Sequence, residues 1–397
     1  MSKVICEHQS CTGCSACRGA CPKQCITMLP DALDALYPFV DENKCIDCGL
    51  CEKTCPNNRI IEYRHPQKVL VAWSNDDEVR RTSASGGIAC ELYKYWIMNG
   101  GVATGVVYNR EEGCHFILIE KEEDIRPTQN SKYTFSDTCG IYKVVKERLD
   151  AGIPVLFIGV PCQVAGLYGY LKKEYENLTT VDIVCHGMPP AAYLQQHIEY
   201  IEKQKKENVW GLSFRDPKYC TYNFEFTLKN ATGKEFYHKK VLSTDNYQLG
   251  YHRALIYREN CYHCRYARKE RISDLTISDF SGLGRFAPFH QDKHNVSCIL
   301  QNTSKGRLIL EALGSYLYIE ERPEKEAFDV EKQLKAPSNK HYGRSIFELE
   351  YKTSKNYEKA SNLALKSEKK RALKYAFVNK CKAIVYNFLV LIHLKRR

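Results

Sequence analysis

At 397 residues the chain has room for two or three domains, and 44% hydrophobic with 26% charged residues is an ordinary globular composition, which excludes a disordered or fibrous chain. The net charge of +11 is local: residues 352–397 carry 13 Lys or Arg against 2 Asp or Glu, while the remainder holds 45 of each sign and so has no nucleic-acid-like bias. Cysteine is the anomaly, at 20 residues. The opening MSKVICEHQSC has no apolar run to act as a signal-peptide core, and no stretch reaches the roughly 18 apolar residues of a membrane span. A cytoplasmic chain is expected, in which thiols stay reduced and clustered cysteines mean metal or catalysis.

The first element is a duplicated cysteine run. Residues 11–22 read Cys11-x-x-Cys14-x-x-Cys17-x-x-x-Cys21-Pro22, and residues 45–56 repeat the spacing as Cys45-x-x-Cys48-x-x-Cys51-x-x-x-Cys55-Pro56. Three thiolates on a tight loop can wrap three corners of a cubane, and Pro then turns the chain to aim the fourth thiol away. Zinc would use two CxxC pairs per site, a pattern the third and fourth cysteines do not follow. Disulfides are disfavoured by the compartment. The run resembles the bacterial two-cluster ferredoxin, in which the fourth Cys of each run ligates the other cluster. That resemblance assigns Cys11, Cys14, Cys17 and Cys55 to one [4Fe–4S] cluster, and Cys45, Cys48, Cys51 and Cys21 to the other. Cys6 and Cys25 fall outside the repeat and read as structural. The module is expected over residues 1–63, with His65-Pro66-Gln67-Lys68 as a linker.

From Val69 the pattern changes to short apolar strands alternating with helices. Strands are predicted at Val69–Trp73, Val102–Tyr108, Phe116–Ile119, Val155–Gly159, Val181–Val184, Leu275–Ile277 and Cys298–Leu300. An antiparallel stretch is predicted at Trp210–Phe214, Phe224–Leu228 and Glu235–Val241, and helices at Ile88–Met98, Ile141–Leu149 and Ala191–Glu202. Elements mixed in this order predict an α+β or α/β body around one sheet, in two parts over 67–150 and 151–330.

Four cysteines stand out in this body. Cys162, in Gly159-Val160-Pro161-Cys162-Gln163, and Cys185, in Val184-Cys185-His186-Gly187, each follow a predicted strand directly. Ligands gather at the carboxyl ends of such strands. Cys261 and Cys264 form a CxxC, so the four make a candidate ligand set for a third cluster. A four-thiolate zinc site fits the same residues, as does a redox CxxC with Cys162 as an independent nucleophile. His186 and His263 read as hydrogen-bonding neighbours, and Cys90, Cys114, Cys139, Cys220, Cys298 and Cys381 as packing residues.

The order of motifs then becomes specific. A dicluster ferredoxin followed by SASGG, SKYTFSD, GVPCQVAGL, VDIVCHG, CYHC and SDLTISDF resembles the coenzyme F420 hydrogenase/dehydrogenase beta-subunit family over roughly residues 1–320. The resemblance implies an iron–sulfur flavoprotein whose mixed-sheet body binds FAD. It puts flavin contacts at Ser83, Ser85, Gly86 and Gly87, and at Ser131, Lys132 and Tyr133. Small residues let backbone approach a flavin or its pyrophosphate, and a helix starting at Ile88 favours negative charge there. Lys132 would pair with phosphate or with the anionic reduced flavin. Without the family context the SGG turn reads as a helix cap. Asp274 and Asp279 flank a strand and read equally as caps or as catalytic groups, and Arg215 is a candidate for an anionic ligand group. Where family members often carry Gly before the second Asp and Trp two residues after it, this chain has Ser278 and Ser281, which separates it from any inherited substrate preference.

Residues 340–397 are expected as a basic helical tail, with the apolar run from Ile384 to Leu394 either lying on an anionic membrane surface or docked on the body. Two functions compete. One is a flavin- and cluster-dependent oxidoreductase acting on a small organic molecule, a polysaccharide precursor or a deazaflavin. The other is an electron-transfer protein that relays electrons to a separate catalytic partner. Nucleic-acid binding through the tail is disfavoured, because its basic residues are not interleaved with aromatic platforms.

Overall fold

The computed structural model describes residues 3–138 and 140–395. Cys139, expected as a packing residue, lies outside the described residues, as do the side chains of 386–397, which include most of the tail's apolar run.

The N-terminal module holds α1 (Ala16–Ala20), β1 (Ile26–Pro30), β2 (Leu36–Val40) and α2 (Leu50–Thr54). Each short helix starts one residue ahead of the third cysteine of its run and ends just before the fourth. β1 and β2 pair antiparallel from Ile26↔Val40 to Pro30↔Leu36. Their turn is held by Asp31, whose carboxylate accepts from the Leu33 and Ala35 amides. The module's own core is small. Of the seven buried residues that pack together in it, Ile5, Cys17, Cys25, Ile26, Val40, Cys51 and Cys55, four are cysteines, so the module cannot rest on apolar burial alone.

The body follows as β3 (Lys68–Ser74), α3 (Asp77–Thr82), α4 (Ile88–Met98), β4 (Val102–Asn109), β5 (Gly113–Ile119), α5 (Ile141–Asp150), β6 (Val155–Gly159), α6 (Pro161–Leu171), β7 (Leu178–Ile183) and α7 (Ala191–Lys205). After it come β8 (Gly211–Ser213), β9 (Phe226–Lys229), β10 (Glu235–Lys239), α8 (Asn246–His252), β11 (Leu275–Asp279), β12 (Ser297–Gln301), α9 (Ser304–Ala312), β13 (Leu317–Arg322) and α10 (Glu324–Phe328). The chain closes with α11 (Arg344–Ser354), α12 (Tyr357–Ala364) and α13 (Lys366–Lys395). Eight strands form one mixed sheet in the order β13-β3-β12-β11-β7-β6-β4-β5, and β10-β9-β8 form a separate antiparallel sheet.

The central strands are buried on both faces, which is why they read as continuous apolar runs. In β6, Val155 and Phe157 face Tyr142 and Val145 of α5 and Val164 and Leu167 of α6. Leu156 and Ile158 point the other way, toward Ile88, Leu92 and Trp96 of α4 and Ile309 and Leu310 of α9. The body is thus helices on both faces of a sheet. The pairing also fixes an edge. β11, β7, β6 and β4 are mutually parallel, and β3 shares their direction because it pairs antiparallel with β12, which is antiparallel to β11. The loops after β3, β11, β7 and β6 therefore leave the sheet at one side.

One difference from the sequence reading matters. Residues 344–365 belong to the body's second core, where Phe347, Tyr351 and Tyr357 pack on Tyr193 of α7. Only α13 leaves the body as a basic helix. Among the described residues, no helix is long and apolar enough to cross a membrane. The module and the body also share an extended contact. Tyr193 donates to the Leu33 carbonyl, and Tyr351 and Lys355 both reach the Asp34 carboxylate, so α7 and α11 grip the β1–β2 turn.

Candidate functional site

The cysteine runs coil around two cavities. One is walled by Cys11, Cys14, Cys17 and Cys55 with Cys6 beside them; the other by Cys21, Cys45, Cys48 and Cys51 with Cys25, whose sulfur is 3.3 Å from that of Cys21. Tight loops with left-handed residues, among them Gly13, Ser15, Asp47 and Gly49, let each run wrap its cavity. Cys6 and Cys25 thus stand on the cavity walls and not in remote packing. The outer cavity opens toward solvent at Cys48, which is exposed, while Cys17 and Cys55 of the inner one are buried.

A third cavity is walled by Cys162, Cys185, Cys261 and Cys264. Cys162 sits in the first turn of α6, just past β6, and Cys185 two residues past β7. Cys261 and Cys264 come from the loop after α8, where the Met188 amide donates to the Cys261 sulfur at 3.4 Å. Burial drives the Cys162 thiol well above its usual range, and the crowding of Cys185, Cys264 and Cys261 adds to it. Cys261 is likewise pushed up to about 11, chiefly by burial. Buried thiols that oppose one another's ionisation become thiolates together only when cations are bound among them. The four cysteines line one cavity, and among the described residues no three His, Cys, Asp or Glu groups stand at the spacing of a single metal ion. His186 is exposed at the rim of this cavity, and His263 is exposed and paired with Glu259.

The three cavities lie in sequence. Thr12 lines both the inner module cavity and the body cavity, and α6 runs from Cys162 past the module, with Gly166 against Cys14.

Two further loops leave the sheet nearby. In the 83–87 loop, Ser85 Oγ donates to the Val296 carbonyl and the Gly86 amide donates to Ser297 Oγ. A Cβ on Gly86 would stand 2.5 Å from the Ala72 carbonyl oxygen, so glycine is needed there for close passage over β3. Gly87, at φ +87°, is the residue before the first turn of α4. Lys132 does not point outward. Its Nζ donates to the carbonyls of Pro127, Thr128 and Gln129, and burial lowers it to about 8. Tyr133 stacks on Tyr251 with ring centroids 4.6 Å apart and meets the His252 ring edge-on at 5.9 Å. Around it, Asn130 Oδ1, Thr134 Oγ1, Gln248 Oε1 and His252 Nε2 are buried without a hydrogen-bond partner. Burial, with His186, Arg215 and Arg253 nearby, lowers His252 to about 4, so its imidazole is neutral at pH 7. A chain of hydrogen bonds runs from the 83–87 loop to the end of β11. The Asn295 amide donates to Ser83 O and to Thr221 Oγ1, and the Thr221 carbonyl accepts from Arg215 Nε, whose Nη1 donates to both carboxylate oxygens of Asp279 at the end of β11. Asp274, by contrast, accepts from the Thr180 amide and from Thr303, a structural role.

This arrangement of a cysteine-lined module on a sheet with a cysteine-lined edge has counterparts. The family model for the C terminus of the coenzyme F420 hydrogenase/dehydrogenase beta subunit matches residues 154–327, the corresponding N-terminal model matches 69–143, and a 4Fe-4S dicluster domain model matches 10–74. The chain belongs to the coenzyme F420 hydrogenase/dehydrogenase beta-subunit family. It is 25% identical over 239 residues to a component protein of the F(420)H(2) dehydrogenase of Methanosarcina mazei, covering 56% of this chain and 66% of that one. It is also 25% identical over 240 residues to the coenzyme F420-dependent sulfite reductase of Methanocaldococcus jannaschii, covering 58% of this chain and 34% of that one. The match therefore spans less than two thirds of either relative's length. A chain of the F420-reducing [NiFe] hydrogenase complex from Methanosarcina barkeri aligns with 78% of this chain and 94% of its own, at 17% identity and a TM-score of 0.44.

The chain is thus a member of this family that also carries a 4Fe-4S dicluster domain match. Several residues around the site carry no sequence signal of their own. Thr12, Arg258 and Arg271 on the body cavity, and Asn130, Gln248 and His252 around Tyr133, become visible only when distant segments meet. Arg215 and Asp279, met separately in the sequence, are one ion pair.

Proposed function

We propose that the chain is an iron–sulfur flavoprotein oxidoreductase that exchanges electrons between a one-electron partner and a small organic substrate. Two [4Fe–4S] clusters would be held by Cys45, Cys48, Cys51 and Cys21, and by Cys11, Cys14, Cys17 and Cys55; a third would be held by Cys162, Cys185, Cys261 and Cys264. The observation that carries this reading is the row of three thiol-walled cavities, the outermost open at Cys48 and the inner two sharing Thr12. A row of this kind is of use only to a traffic of electrons between surface and body.

FAD would occupy the sheet edge near residues 83–87 and 131–133, where ligands of open sheets with parallel strands bind. The four partnerless polar atoms around Tyr133 fit a polar ligand there better than an apolar one. Bound FAD would supply the exchange between single electrons and the electron pair an organic reduction needs. The chain's own share is to hold it. Tyr133 offers a ring, the neutral His252 offers Nε2, and Lys132 fixes the turn that carries Tyr133. For the substrate, coenzyme F420, which the relatives' names attach to those proteins, is one candidate and a polysaccharide precursor another. Anaerobically purified protein should contain about twelve iron per chain and a flavin absorption band. Iron without flavin, after reconstitution with iron, sulfide and FAD, would leave the relay as the surviving reading, in which the chain hands electrons to a partner at the Cys48 face.

A further inference from the structure

Of the five arginines buried among the described residues, four have a carboxylate: Arg215 pairs with Asp279, Arg271 with Asp182, Arg322 with Glu326 and Arg344 with Glu348. The fifth, Arg258, is 2% exposed and forms no ion pair with any described carboxylate. Its Nη2 donates to the Cys11 and Leu36 carbonyls at 3.4 and 2.9 Å, and its Nε to Asn260 Oδ1 at 3.3 Å, all uncharged acceptors. Nη1 has no partner at all. The guanidinium is held between the rings of Tyr37 and Phe135, at 5.1 and 5.3 Å. Gly13 makes room for it, since a Cβ there would stand 3.0 Å from Nη2.

A buried, always-ionised guanidinium is costly unless something negative faces it. The location says what that is. Arg258 lines the body cavity and also touches the backbone of Cys11 and Gly13, on the wall of the inner module cavity. Thr12, between those two residues, lines both cavities and has a buried hydroxyl with no partner. Two unfilled hydrogen-bond donors, one cationic, therefore stand in the wall between two sets of four thiols.

We propose that Arg258 is the shared counter-cation of the inner module cluster and the body cluster, and that with Thr12 it holds both reduction potentials up. It is a positioning residue for electrons and not a ligand. A cluster bound by four thiolates is an anion that gains one further negative charge on reduction. A fixed cation beside it in a low-dielectric wall favours the reduced form. Because one guanidinium faces both groups, it raises both relative to the outer group, so that an electron entering at the outer cavity is drawn inward. The outer cavity of Cys21, Cys45, Cys48 and Cys51 does not contain Arg258 in its wall and is left at its own potential.

The inference rests on the cluster assignment proposed above, and the test separates the two. Full-length protein, purified anaerobically, is titrated with dithionite and followed by electron paramagnetic resonance, with iron measured on the same samples. Arg258→Gln should keep its iron, while the inner-module and body signals move to more negative potential and the outer signal stays. Arg258→Lys should recover part of the shift. Thr12→Val, which keeps the side-chain shape and removes only the hydroxyl, should give a smaller shift in the same direction, and it decides the matter if Arg258→Gln loses iron. Full iron with unmoved potentials in Arg258→Gln, or an equal shift of all three signals, overturns the proposal. Iron for only two clusters in the unsubstituted protein would instead break the body-cluster assignment, and the inner-module shift would still report on Arg258.

Discussion

Gly166 of α6 lies so close to Cys14 that a Cβ built on it would stand 3.0 Å from the Cys14 sulfur. One turn on, a Cβ at Gly169 would be 2.1 Å from the Thr54 carbonyl oxygen, and Gly19 of α1 lies against the Tyr170 ring on the same helix. Helix α6 thus carries Cys162 at its start and presents a glycine face to the module. The two halves of the protein meet where the side chains are smallest, and the inner module cavity is brought up to the body cavity.

Gly169→Ala tests that contact. The methyl meets backbone, which cannot swing aside, so α6 must move off α2 or the strain must be borne. Overpacking of this kind costs about 1–3 kcal/mol. We expect a lower Tm with iron content nearly unchanged, and faster proteolysis between residues 59 and 68, where the module joins the body. A Tm equal to that of the parent would mean that the two units are not pressed together at Thr54.

Serine replacements at the cysteines proposed as cluster ligands distinguish the cavities. Cys14→Ser and Cys48→Ser should each remove up to about four iron per chain, and full iron in either variant refutes the ligand assignment. Their stability costs should differ. Cys14 is packed beneath α6, whereas Cys48 is exposed at the rim, so Cys14→Ser should lower Tm more. Chelation of all iron should unfold the module, because four of the seven buried residues in its core are cysteines.

The second core predicts a pH dependence. His197 of α7 is buried between Glu358 at 2.5 Å and Asp245 at 2.9 Å. Burial opposes its charge, but Asp245 and Glu358 outweigh burial and raise it to about 9. Such a group stabilises the fold fully below its unfolded value near 6.5 and loses that contribution as pH rises through about 9. The amount is on the order of 3 kcal/mol. Stability measured by urea unfolding should fall between pH 6.5 and 9, and His197→Gln should be less stable at pH 6 and nearly flat over that interval. An unchanged slope in the variant would place the titrating group elsewhere.

The parts of this architecture that can be read from sequence are those whose cause is local. The two cysteine runs state their own spacing, and Cys162 and Cys185 follow apolar runs that could only be buried strands. What cannot be read depends on partners far away in the chain. Phe347, Tyr351 and Tyr357 sit in a Lys-rich region whose average composition reads as a solvated tail, although the four-residue step from Phe347 to Tyr351 puts both on one helix face. Residue type alone gives Lys132 to an anionic ligand, and only the fold shows its amine turned back on three carbonyls. Arg258 is a common surface residue by type; its meaning comes from being buried without a carboxylate.

Binding of FAD, proposed above, would decide for the enzyme over the relay, and Lys132→Ala is the sharpest test of its proposed place. Lys132 Nζ gathers the carbonyls of 127–129 and so holds the turn from which Ser131 and Tyr133 project. Removing the amine leaves three carbonyls without their donor, at a cost of about 1–3 kcal/mol for an unsatisfied buried group, and frees Tyr133 from its place on Tyr251. Lys132 is on none of the three cysteine cavities, so iron should not change. The expected result is protein with full iron that releases FAD on gel filtration, while His252→Leu, which removes the partnerless Nε2 and keeps the bulk, weakens retention less. Full flavin retention in both variants would move the flavin away from the 131–133 loop. Flavin and iron lost together would mean that the variant failed to fold, in which case His252→Leu alone carries the test.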